Sequence, residues 1–292
     1  MERSEDALAW ERRRATPAAL SALVAIGFVI AAIVFASQGV GSGDGDAELL
    51  RNVDAHRAAQ LVSSILQAIG IALLAVPLYY LFRAAQARSP AVRRQLVGVV
   101  IAAPLFLAVL AILSGVSLLQ GATDFVNDQL PMLEARDVPL DGDRADDLAA
   151  DAISDAPVRS LAAGFGLAGQ IGFVVAMVYT CLHAMRTGLL TRFWGSLGMA
   201  LGAVSFIFFQ FTLLWFVYFG LMLLGWAPGG RPPAWETGKA EPWPTPAEKA
   251  AADLEGPGAE LGQPADGVQG PGAVEPGAVE PGEPRRKRKQ RD

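Results

Sequence analysis

The chain has 292 residues, with 24 Lys and Arg against 29 Asp and Glu, so 18% of it is charged and the formal net charge is −5. No Asp, Glu, Lys or Arg occurs in five apolar stretches, 18–37, 61–82, 96–119, 160–185 and 193–226, of 20, 22, 24, 26 and 34 residues. A water-soluble domain interleaves charge with its apolar stripes every few positions, so runs of this length exclude that class and mark membrane spans. The single cysteine, Cys181, excludes an intramolecular disulfide and any multi-cysteine metal site.

In chain order, 1–17 is a basic segment carrying Arg3 and Arg12, Arg13 and Arg14. The run 18–37 is longer than a usual signal core, which predicts an uncleaved first helix. Gly-Ser-Gly-Asp-Gly-Asp at 41–46 is a turn-rich start. From Asp46 the pattern reads as helix running into span two. Pro77 in span two and Pro104 in span three predict kinks, because proline lacks the N–H that closes a helical turn. A short basic loop, 83–95, joins these two spans.

The segment 120–159 carries ten acids and three Arg. A short helix over 144–155 is expected there, with Asp143 and Asp146 as a cap-like start. Its apolar positions Leu148, Ala149, Ala152 and Ile153 would face the membrane surface. The run Asp141-Gly-Asp-Arg-Ala-Asp-Asp departs from the calcium-loop pattern at the positions that need oxygen ligands. A solvated acidic face is the better reading.

The last apolar block, 193–226, would be about 51 Å long as one helix, against a hydrocarbon core about 30 Å thick. Two short spans turning near Phe209 and Gln210 fit better, although no strong turn former stands there. Loop charge agrees. Arg83, Arg88, Arg93, Arg94, Arg186 and Arg192 fall on the side of the N-terminus, and the acidic segment 120–159 falls opposite. The expected fold is an all-α polytopic transmembrane helix bundle. Its six spans are about 18–37, 61–82, 96–119, 160–185, 193–209 and 211–226, with five spans as the alternative. The N-terminus and tail are expected to be cytoplasmic.

The tail, 227–292, is rich in Pro, Gly and Glu and predicts disorder, since it has too little apolar surface to offset its ordering entropy. Thr245, Pro246 and Glu248 would open one local helix, to about Leu254. The basic end, 285–291, is a candidate contact for anionic lipid.

Polar residues inside spans are where membrane function usually shows. Here none is ionised. Gln67, Gln170 and Gln210 are the intramembrane polar candidates, with interhelical hydrogen bonding as the plainer role. Cys181 and His183 lack further ligands for a metal. His183 is expected to snorkel toward the interface and Cys181 to be a small buried residue. His56 reads as a lone surface histidine. Gly166 and Gly169 in span four, and Gly195, Gly198 and Gly202 after it, form small faces that let helices approach closely. Packing within the bundle is expected ahead of dimerisation. Trp10, Trp194, Trp226, Trp235 and Trp243 are candidates for interface depth.

The runs Leu74-Ala-Val-Pro-Leu-Tyr-Tyr-Leu-Phe-Arg83, Met185-Arg-Thr-Gly-Leu-Leu-Thr-Arg-Phe-Trp-Gly195 and Gly229-Gly-Arg-Pro-Pro-Ala-Trp235 with Pro242-Trp-Pro carry a likeness. On them the chain resembles a group of uncharacterised multi-pass membrane proteins of high-GC Gram-positive bacteria, of the domain-of-unknown-function type. The resemblance covers about 18–243 and implies six helices and a cytoplasmic tail. It implies no activity, substrate or site residue.

The functional expectation is therefore a non-enzymatic scaffold, sensor or regulatory subunit in a bacterial plasma membrane. It has no cofactor, no metal and no specific nucleic-acid partner. The lipid bilayer, and a membrane-protein partner or a second copy, are its expected contacts. The alternative is a transporter or channel for a neutral or hydrophobic solute.

Overall fold

The computed structural model describes residues 2–38, 45–140, 142–227 and 230–243, with side chains from Asp6 onward. The described residues are helices and connecting turns, without a strand. They are α1 Glu2–Ser37, α2 Asp46–Ala55, α3 Arg57–Leu73, α4 Ala75–Arg88, α5 Val97–Asp124, α6 Leu130–Ala135, α7 Asp143–Ser154, α8 Arg159–Arg186, α9 Arg192–Leu224 and α10 Ala234–Thr237. Five helical stretches are long and apolar enough to cross a membrane: α1, α3 with α4, α5 continuing into α6, α8 and α9. The helix expected from Thr245 lies outside the described residues.

The second span is two helices. They meet at Leu74, three residues before Pro77. Proline cannot donate to the carbonyl four residues back, which frees the Leu73 oxygen. The Ser21 hydroxyl of α1 donates to that oxygen at 2.8 Å. The break lets α4 pack against α1, α5 and α8, where Leu78, Leu81, Phe82, Ala84 and Ala85 are buried. Pro104, by contrast, lies within α5 and does not interrupt it.

Three sequence expectations are corrected toward the end of the bundle far from the termini. First, α2 does not run into α3. The chain breaks at His56, at φ −117 and ψ 33, so α2 turns aside. Second, the third span does not stop at 119. α5 reaches Asp124, a π-helical turn follows at Phe125–Gln129, and α6 continues the path. Third, α7 begins at Gly142 without a side-chain cap, and Asp146 serves another helix: its Oδ1 accepts the Ala47 N–H of α2 at 3.0 Å. These corrections share one cause. Ala47, Leu50 and Val53 of α2, Ala122, Phe125, Leu133, and Ala145 and Ala149 of α7 form a second small core. The acidic segment thus folds into a packed cap, with its charges on the outside apart from the half-buried Asp146.

The last block settles as a hairpin. α9 is broken at Phe208, whose φ −127 and ψ 59 lie outside the helical region. As a straight helix, Trp194 and Trp215 would be about 31 Å apart. Instead the Trp215 indole donates to the Trp194 carbonyl at 2.9 Å, and Trp194 stacks on Tyr218 at 3.4 Å. Thr212 also donates to the Leu201 carbonyl at 3.2 Å. The chain therefore reverses one residue before the expected turn. Each arm has 16 residues, 192–207 and 209–224, and penetrates about 24 Å. The first arm packs on α8 and the second on α1, where a Cβ on Gly220 would meet the Ala19 carbonyl at 3.2 Å.

Candidate functional site

The hairpin tip stops beside Phe173 of α8, whose ring lies 5.6 Å from that of Phe209. From that level α8 runs on for a further 14 residues to Arg159, about 21 Å. A recess is left over the tip. One lobe, about 220 Å³, is lined by Gln67, Ile71, Leu107, Leu110, Ala111, Ser114, Gln170, Phe209 and Gln210. A second, about 230 Å³, shares Gln67, Ile71, Phe209 and Gln210 and reaches α1 at Val29, Ala32, Ile33 and Ala36. The three glutamines singled out from the sequence, on three different helices, thus border one space. The sequence could flag them as polar residues in apolar runs, but not as neighbours.

Their state is informative. Gln67 and Gln210 are exposed on the recess side of their helices. The Gln170 carbonyl oxygen is buried with no hydrogen-bond partner among the described residues. In hydrocarbon such a group costs several kcal/mol unless something satisfies it. Nearby polar groups behave otherwise. Ser63 donates to the Ala32 carbonyl at 2.8 Å, and Gln60 to the Ala36 carbonyl at 3.1 Å, tying α3 to α1. Toward the chain termini the recess ends against packed side chains: Phe173, Met177, Trp215, Phe216 and Phe219 are almost fully buried.

The small residues have a structural task. A Cβ on Gly195 would lie 2.7 Å from the Met185 Cβ, one on Gly198 2.5 Å from the Cys181 Sγ, and one on Gly202 2.6 Å from the Met177 Cβ. These glycines seat the first arm on α8. Gly166 and Gly169 admit Leu110 and Leu107 of α5. Cys181 is buried at that contact. His183 does not snorkel: it is buried, with its ring 4.4 Å from that of Tyr179. His56 is exposed and its Nδ1 lies 3.0 Å from the Asn52 carbonyl. Among the described residues no group of three His, Cys, Asp or Glu is arranged to hold a metal.

A second constellation escaped the sequence reading. At the end of the bundle near the termini, Arg88 of α4 and Glu11 of α1 form a salt bridge with side chains 0% and 4% exposed. Arg88 also donates to the Ala234 carbonyl at 2.7 Å and lies 5.5 Å from the Trp235 ring centroid. Trp10, Tyr80 and Trp235 stack in a column, at 5.5 and 5.6 Å. Trp235 is therefore a core residue, not an interface marker. Its indole donates to the Leu189 carbonyl at 2.9 Å, and that of Trp243 to the Leu190 carbonyl at 2.9 Å. Gly188 is held at φ +77, and a Cβ there would come within 2.1 Å of the Glu241 carbonyl. Residues of three separate sequence runs meet in this clasp: Tyr80 of α4, Gly188, Leu189 and Leu190 of the turn after α8, and Ala234 and Trp235 of α10.

No protein-family model matches the chain, and no curated protein or solved structure matches it either. The fold by itself defines the class: an all-helical protein of the membrane-embedded type, with a central hairpin and an uncharged, amide-lined recess above it.

Proposed function

We propose that this chain is a non-enzymatic bacterial plasma-membrane protein, a sensor or regulatory subunit that responds to an uncharged ligand in the amide-lined recess. The blind recess carries the reading. Three carboxamides border one space, and along the second arm of the hairpin, between that space and the clasp, Trp215, Phe216 and Phe219 are almost fully buried. A conduit needs a through path, whereas a receptor needs only a closed floor and directed polar groups. Loop charge supports cytoplasmic termini. Arg83, Arg93, Arg94, Arg186 and Arg192 share the end of the clasp, and the acidic cap occupies the other. The basic stretch 285–291 is proposed to touch anionic lipid. The motif likeness suggests a high-GC Gram-positive source.

The test is flux. Purified protein in liposomes should leave glycerol and urea permeability, read by stopped-flow light scattering, equal to that of empty vesicles. Crosslinking in native membranes should recover one consistent partner or a second copy. One observation favours transport of a neutral solute as the second reading: α9 is a discontinuous helix, broken at Phe208 beside the recess, and broken helices mark many transporter sites. Solute flux that disappears with Gln170→Leu would replace the first reading with this one.

A further inference from the structure

Resting on that reading of the recess, we infer that its ligand is a neutral lipid. A hydroxyl and ester carbonyls enter among Gln67, Gln170 and Gln210, and the acyl chains leave sideways between α1 and α8. The argument starts from hydrogen-bond chemistry. Each carboxamide offers two N–H donors and one carbonyl acceptor. Each carbonyl oxygen has two lone pairs, so the three offer donors and acceptors in equal measure, with no fixed charge among the lining residues. The complementary group is uncharged and carries acceptors together with at least one donor. An ester-bearing alcohol meets that description, whereas a phosphate or an ammonium would enter without a counter-charge. The unpartnered Gln170 carbonyl is the acceptor for the single hydroxyl, and rotation about its terminal torsion turns it toward the space.

Size and access agree. Two lobes of about 220 and 230 Å³ share Gln67, Ile71, Phe209 and Gln210 and are open to one side, which gives room for a small polar head with its chains leaving the recess. The apolar wall of Ile71, Leu107, Leu110 and Phe209 suits the first carbons of a chain. The lateral exit follows from the hairpin. α9 stands between α8, against its first arm, and α1, against its second, and it ends at Phe208. Beyond that level the two lips carry exposed apolar side chains, Ile33 at 58% on α1 and Leu167 and Ile171 at 59% and 57% on α8.

The experiment uses the full chain in liposomes with a diacylglycerol bearing a photoreactive group near the head of one acyl chain. Labelling should map by peptide mass spectrometry to α1 near Ile33 and α8 near Ile171. Excess unlabelled diacylglycerol should compete it away, while glycerol at high concentration should not. Gln170→Leu and Gln210→Leu should each lower labelling at least about fivefold, in line with loss of a polar contact worth about 1 kcal/mol or more. Gln86→Leu, outside the recess, should leave it unchanged. Gln67→Leu gives a second arm on an exposed position, where loss of the fold is not expected. Absent diacylglycerol labelling, with glycerol or urea protecting Gln170→Cys from maleimide, would overturn the lipid while leaving an uncharged-ligand site. Absent labelling and absent protection would overturn both. Labelling equal in wild type and all glutamine variants would also overturn the proposal.

Discussion

Two residue-level arrangements at the termini-proximal end bear most directly on stability. Glu11 and Arg88 are buried together, and the Arg88 guanidinium is shared with the Ala234 carbonyl and the Trp235 face. Removing one partner of a buried pair leaves an uncompensated charge, which costs about 3–5 kcal/mol. Glu11→Ala should therefore lower the unfolding free energy of the detergent-solubilised protein by about that amount. The double variant Glu11→Leu with Arg88→Met should recover much of it, short of full recovery because the Ala234 carbonyl has lost its donor. Ser21 and Pro77 form the second arrangement. Ser21→Ala orphans the Leu73 carbonyl and should cost about 1–3 kcal/mol. In a Pro77→Ala background the new Ala N–H can reach that carbonyl, so the same change should cost much less. A double-mutant cycle on thermal unfolding reads this coupling, and simple additivity would refute it.

At the scale of elements, the hairpin is the decisive feature. The turn at Phe208 has no local turn former; it is imposed by what the arms touch. Gly195, Gly198 and Gly202 bring the first arm onto α8, and Trp194, Trp215 and Tyr218 bind the arms to each other. Spin labels at Phe193 and Trp226, both exposed, should report a separation well under half the roughly 50 Å of one straight helix. Pulsed electron-electron resonance measures it, and a distance near the straight-helix value would exclude the fold-back. Pro77 and Pro104 make the complementary point. Pro77 breaks its helix because α1 offers a hydroxyl to the freed carbonyl, whereas Pro104 leaves α5 whole.

For the whole molecule, the fold-back returns the chain to the end where it began. The strap that follows α9 seats against α4 through Ala234, against α9 through Arg231 and Met222, and against the turn at Gly188 through Trp235 and Trp243. The opposite end is closed by its own small core beneath an acidic surface. This arrangement predicts one accessibility pattern. Single cysteines replacing Arg12 and Lys239, both exposed, should react with an impermeant maleimide from the same side of the membrane. A cysteine replacing Asp151 should react from the other side, and native Cys181, fully buried, should stay unlabelled. Labelling of Arg12 and Lys239 positions from opposite sides would exclude the fold-back and the shared end together.

What the sequence determined by itself was the solvent and the helices. Uncharged runs of 20 to 34 residues specify apolar surroundings through transfer free energy, which needs no knowledge of neighbours. The 34-residue block even signalled its reversal, because a single helix of that length mismatches the bilayer. The amides were legible as oddities for the same reason. What only the tertiary structure decided were coincidences in space. Gln67, Gln170 and Gln210 are far apart in the chain, and helix rotation and depth bring them to one recess. Glu11 and Arg88 stand 77 residues apart, and only the packing of α1 against α4 brings them together and excludes water from both. The stretch 141–155 read as a solvated face because its buried positions, Ala145 and Ala149, are small and few. Their partners on α2 and α5 lie far away in sequence, so no local pattern reveals them. Transfer from water is a property of a segment, whereas pairing is a property of two, and only packing chooses the second.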